Sequence, residues 1–311
     1  MNPAASVVVF TMLAGGAQGL VVALALSSIA GIESAPTFTP RALLLAAALL
    51  AIGLGASFLH LGRPERAWRA AAMWRSSWLS REVIVLPAFI GLVLAWWLAL
   101  RLGAPATWTR TVLPLAAIAV AALLWACTAM IYACLRFIEE WAHPLTFVNF
   151  VLTGLASGFV LAAAAGALAG EAAFVRPVGA AALALTLVAC ASRVLALRRN
   201  ASLRHRSTLQ SATGIAAKRL VQTSMGMSAG SFNTREFFHG ASARTLRNVR
   251  LAVVVLGFVA PALLAAGALF SGSAAWWLCA VPIQAAGLLA DRWYFFAEAK
   301  HPQNLYYQAI A

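Results

Sequence analysis

The chain has 311 residues, 62% of them hydrophobic and only 10% charged, with 23 Lys and Arg against 9 Asp and Glu for a net charge of +14. A soluble domain of this size carries roughly a quarter charged residues, so an ordinary cytosolic enzyme, a disordered chain and a disulfide-stapled secreted scaffold are excluded. What remains is an all-α polytopic integral membrane protein whose basic residues sit in loops, with membrane lipids and not nucleic acid as its surroundings.

A bilayer-crossing helix needs about 20 mainly apolar residues. Eight runs qualify, at 5–30, 41–61, 82–100, 111–135, 146–169, 174–197, 251–271 and 275–296. No basic residue precedes Arg41, so the first run lacks the charged start of a cleavable signal peptide and is expected to stay as a span. Gly31, Pro36, Pro40, Gly62, Pro64, Pro105, Pro144, Gly170 and Gly272 fall between runs, where helix ends belong. Unbroken Ala/Leu runs exclude a barrel, whose strands alternate. Ala and Gly inside the spans fit close helix packing.

Eight spans put both termini on one side, together with loops 2–3, 4–5 and 6–7. Most basic residues lie there, whereas Arg41, Arg101, Arg110 and Arg176 fall on the other side and Arg193 falls inside the sixth span. The positive-inside rule then makes the termini and the basic loops cytoplasmic. The chain reads as a single domain, 1–311, with an ordered basic loop at about 198–250.

Chemistry concentrates in residues 57–85. His60 ends the second span, Gly62 and Pro64 make a corner, and a short interfacial helix carries Trp68, Trp74 and Trp78 among arginines. Ser80 can cap the third span, which puts Glu82 in its first turn, where the helix dipole favours an acid. One reading is an ordinary Trp/Arg belt at the headgroup level. The other is a quinone headgroup site, with His60 and Glu82 for the proton chemistry, Arg63 and Arg81 for the charge of reduced species, and indoles walling the ring. The residues alone leave both open.

Cys127, Cys134, Cys190 and Cys279 form no CxxC pair, so the chain by itself is expected to hold neither an iron–sulfur cluster nor a Cys-type zinc site. In loop 6–7, residues 231–240 read as a short helix with Asn233 as N-cap, Glu236 three residues on and Gly240 as its stop. Its Phe237 and Phe238 suggest a docking surface; binding of lipid headgroups is the rival reading.

Several motifs now carry a resemblance. They are His60-Leu61-Gly62-Arg63-Pro64, Trp78-Leu79-Ser80-Arg81-Glu82, the stretches 207–214 and 230–238, and Arg292-Trp293-Tyr294-Phe295-Phe296-Ala297-Glu298-Ala299, with Gly15, Gly16, Gln18 and Gly19 in the first span. In these the chain resembles the membrane anchor subunits of dimethyl sulfoxide reductase and of quinone-linked sulfite dehydrogenase, which form one family. Asp291 departs from the pattern by standing where a Glu is expected.

The resemblance implies eight spans in a bacterial cytoplasmic (inner) membrane and a heterotrimer. A catalytic subunit would carry molybdenum bis-pterin, an electron-transfer subunit four [4Fe-4S] clusters, and this chain would exchange electrons with ubiquinone or menaquinone. It links His60 and Glu82 to quinol binding. The expected quinone site is then His60, Arg63, Trp74, Trp78, Arg81, Glu82 and Gln18. The expected docking set is Arg66, Arg69, Asn233, Arg235, Glu236, Phe237 and Phe238. No residue of this chain is expected to be catalytic at the substrate end or to bind a metal. Haem is not expected, because His143, His205, His239 and His301 lie in loops or tails. A transporter would place ionisable groups or broken helices at mid-membrane, and the span centres carry none. A passive anchor without a quinone site is the third reading.

Overall fold

The computed structural model describes residues 1–59, 61–224 and 236–306. Among them every regular element is helical, and eight helices are long and apolar enough to cross a membrane. They are α1 (Ala5–Ile29), α2 (Phe38–Phe58), α3 (Trp78–Arg101), α4 (Trp108–Ala133), α5 (Pro144–Leu168), α6 (Ala172–Ala201), α7 (Ala243–Ser271) and α8 (Ala274–Ala297). All eight expected runs are present, but their ends shift where capping outweighs hydropathy. Ser77, not Ser80, caps α3 by accepting the Ser80 N–H at 3.3 Å. The helix therefore starts at Trp78, and Glu82 lies beyond its first turn. α7 begins at Ala243 because Ser242 caps it, accepting from Thr245 N at 3.1 Å. Its basic first turns, with Arg244 and Arg247 exposed, run ahead of the apolar stretch.

Buried most completely of the eight, α1 packs against α2, α4, α5 and α8. Its crossing with α5 is set by glycine. A Cβ on Gly19 would run into the Gly154 carbonyl, and one on Gly158 into the Gly19 backbone. Such contact lets dispersion and small-residue packing hold helices together in lipid, where burial from water contributes little.

Loops gather at one end of the bundle. The Met1 amine donates to Ala299 O at 3.0 Å, and Asn2 N to Glu236 O at 2.9 Å. Trp141 Nε1 donates to Phe295 O at 2.9 Å, Arg206 N to Glu139 at 2.7 Å, and Tyr306 Oη to Ala212 O at 2.7 Å. After α2 the chain forms a 3-10 helix, Pro64–Ala71, as the corner and the Trp/Arg pattern imply. In loop 6–7 a short helix, Leu209–Thr213, carries a Thr208/Ser211 capping box and ends at Gly214 with φ 70°.

The expected helix ending at Gly240 is corrected. Asn233 and Arg235 lie outside the described residues. Glu236 is helical, but residues 237–242 are not. His239 Nδ1 accepts the Ala241 N–H at 3.0 Å while Gly240 takes φ 63°, so a side-chain-bonded turn replaces the last helical turn.

Candidate functional site

Glu82 stands near the start of α3, 5% exposed, beside buried Ser80. Its Oε1 accepts a short hydrogen bond from the Thr128 hydroxyl of α4. A buried carboxyl costs free energy unless hydrogen-bonded. Here a neutral hydroxyl, not a cation, is its hydrogen-bond partner among the described residues.

Above it lies a rim of arginine and indole. Arg81 Nε donates to Trp74 O at 2.9 Å and Nη2 to Arg75 O at 2.8 Å, while its guanidinium covers the Trp78 ring at 4.2 Å. Arg81 thus ties the corner to α3 through its own hydrogen bonds. Trp68 and Trp74 are exposed, with Arg69 and Arg75 over their faces at 5.6 and 5.4 Å. Arg63 is exposed at the start of the 3-10 helix, and Arg66 makes only a 3.8 Å contact with exposed Glu65.

The structure therefore ties Trp74, Trp78 and Arg81 together, and Glu82 follows Arg81 in α3 with its bond to Thr128; His60 lies outside the described residues. Gln18 stands apart. It is buried in the middle of α1, and its Nε2 donates back to Ala14 O at 3.0 Å. At 1.5 Å per residue it lies about 20 Å along α1, whereas Glu82 lies about 6 Å along α3. Of the expected docking residues, Glu236 is exposed. Phe237 stacks on His301 at 4.0 Å, and its carbonyl accepts from Asn304 Nδ2 at 2.9 Å. That ring serves the internal join between loop 6–7 and the tail.

Sequence reasoning missed a second polar constellation. Arg193 of α6, 4% exposed, bonds Asp291 of α8 at 2.5 Å and Glu298 at 3.4 Å. Arg292 Nη2 donates to Thr153 Oγ1 at 2.6 Å, and its guanidinium lies 4.0 Å over Phe150. Glu298, just past α8, also accepts from Asn200 Nδ2 at 3.1 Å. Burial raises its pKa above the usual carboxylate value, against the pull of Arg193 and Asn200. These groups enclose a cavity of about 20 Å³ with Asn149, Thr146, His143 and Arg199 on its wall. The available signal was charge inside apolar runs, at Arg193 and at Asp291-Arg292.

Between the two constellations sits Tyr132, packed with Trp141, Phe150, Phe295 and Phe296 at centroid distances of 5.2, 5.8, 5.2 and 5.5 Å.

The sequence profile of the DMSO reductase anchor subunit (DmsC) family matches residues 1–265. The chain is also similar to a sulfite dehydrogenase subunit of Allochromatium vinosum, 48% identical over the whole of both chains.

Proposed function

The chain belongs to the DMSO reductase anchor subunit (DmsC) family, and on that premise we propose that it is the quinone-exchanging membrane subunit of a sulfite-oxidising molybdenum complex. The full-length similarity to a sulfite dehydrogenase subunit favours sulfite as the partner's substrate.

Glu82 carries the proposal: a buried, hydroxyl-bonded carboxyl beneath an Arg/Trp rim. Reducing a quinone to a quinol takes two electrons and two protons. An iron–sulfur subunit with [4Fe-4S] clusters, joined to a catalytic subunit with molybdenum bis-pterin, would supply the electrons. Glu82 and His60 hand protons to the headgroup oxygens. Trp74 and Trp78 wall the ring, Arg81 fixes the corner, and exposed Arg63 offers positive charge to the reduced form. The apolar tail lies among the span side chains.

Both termini and the basic loops are assigned to the cytoplasmic side of a bacterial inner membrane. The Met1–Ala299 hydrogen bond supports a shared side for the two ends, and the positive-inside bias supports the cytoplasmic side. Arg66 and Arg69, with Asn233, Arg235 and Glu236 of loop 6–7, form the docking face for the iron–sulfur subunit.

The test is Glu82→Gln in the complex purified from native membranes. Sulfite-dependent reduction of short-chain ubiquinone and menaquinone analogues is expected to fall about 10²-fold or more. Sulfite oxidation with ferricyanide, which takes electrons from the partner subunits, reports the amount of assembled complex. Wild-type quinone reduction by the variant would overturn the assignment and leave a passive anchor.

A further inference from the structure

The ionic cavity between α5, α6 and α8 has no part in the reading above. Two of its wall atoms lack hydrogen-bond partners among the described residues. Arg193 Nη2 is a donor and Asn149 Oδ1 an acceptor, on residues 4% and 7% exposed. Buried polar atoms are almost always hydrogen-bonded. A donor and an acceptor left open on one small polar cavity are what an internal water satisfies, and about 20 Å³ is room for one. His143, Arg199 and Asn200 line the cavity where α5 begins and α6 ends, next to the loops. Arg292 and Phe150 line it on the side of Tyr132.

We propose that this cavity is the hydrated port of a proton path to Glu82, and that Tyr132 supplies the hydroxyl joining the two. The inference rests on the quinone reading of Glu82. Tyr132 and Thr128 lie four residues apart on α4 and so share a face. Thr128 already donates to Glu82. Tyr132 touches the cavity wall through the Phe150 stack. A proton entering from the loop side passes from the cavity water to the Tyr132 hydroxyl, then through Thr128 to Glu82. Each hydroxyl releases its own proton as it accepts the next, so no charge accumulates on the path. Two protons delivered this way balance the two electrons from the partner subunits for each quinone reduced. Arg193 and Arg292 set against Asp291 and Glu298 keep the port close to neutral, so a passing proton meets no large net charge.

Two variants test the path in the full complex. Tyr132→Phe keeps the ring in its stack and removes only the hydroxyl. Asn149→Leu removes the open acceptor and fills the cavity. Ferricyanide-linked sulfite oxidation measures how much complex is present. Per assembled complex, each variant is expected to lower ubiquinone-analogue reduction at least fivefold. The rate ratio between H2O and D2O should rise at least twofold over wild type, which a packing defect alone does not produce. A wild-type rate and a wild-type isotope ratio in an assembled variant would overturn the path. If only one variant assembles, that one decides. Glu82→Gln separates the two failures: with that variant slow and these two normal, only the path is wrong; with that variant at wild-type rate, the quinone reading itself is wrong.

Discussion

Arg193 on α6 and Asp291 on α8 stand 98 positions apart in the chain and meet as a buried ion pair, Nε to Oδ1 at 2.5 Å. Without Arg193, buried Asp291 loses this cation; without Asp291, Arg193 keeps the longer 3.4 Å contact with Glu298. Breaking a buried pair from one side costs about 3–5 kcal/mol. Asp291→Leu and Arg193→Met are each expected to lower the unfolding midpoint in detergent sharply. The double variant should be less destabilised than either single one, because no orphan of the pair remains. Additive losses would show that the two residues act independently.

The α1–α5 crossing supplies a second prediction. Gly158→Ala sets a methyl against the Gly19 backbone, which has no flexible side chain to give way. Overpacking of this kind costs about 1–3 kcal/mol. Gly91→Ala in α3 meets nothing within 4 Å and should gain about 0.5–1 kcal/mol from helix propensity. Unfolding midpoints of the two variants measured side by side check the opposite signs.

The fold was legible because a span must satisfy its backbone internally and face apolar surroundings, and both demands write long hydrophobic runs into the sequence. Helix ends were less so. Ser76, Ser77 and Ser80 all offer capping oxygens, and only the backbone path into α3 selects Ser77. Glu82 was legible through its motif, but its partner Thr128, on another helix, was not. The Arg193–Asp291–Glu298 cluster escaped for the same reason: hydropathy marks each charge as out of place without saying which distant charge answers it. The stack of Phe237 on His301 was not legible, since it joins two segments far apart in the chain.

Arg66 and Arg69 have few ties within the chain. Among the described residues, the ion pair of Arg66 is with exposed Glu65 at 3.8 Å, and Arg69 lies 5.6 Å over an exposed indole. Reversing their charge should leave the stability of the subunit unchanged, since surface pairs contribute little. If they face an acidic partner surface, Arg66→Glu with Arg69→Glu should weaken retention of the soluble subunits about 10-fold or more. The loss should be largest at low ionic strength and shrink as salt screens it. Washing membranes at stepped salt and assaying released sulfite-oxidising activity gives the measurement. Equal retention at every salt concentration would remove both arginines from the docking face.

His143 couples the loop end to pH. It caps α5 through Nδ1, which accepts the Leu145 N–H at 3.2 Å, and only a neutral ring nitrogen can accept. Burial first, and then the nearby Arg199 charge, hold its pKa below the ordinary 6.5. A base whose folded pKa is depressed binds fewer protons folded than unfolded, so its contribution to stability rises with pH across that window. The contribution is complete above 6.5 and is lost as pH falls below it, when the unfolded ring protonates and the folded one resists. His143→Asn keeps a capping oxygen and does not titrate. Wild type and variant should therefore have similar unfolding midpoints at pH 7.5, and the wild type should lose more between pH 6.5 and 5. Parallel midpoint-against-pH curves for the two proteins would show that the His143 cap does not depend on its neutral form.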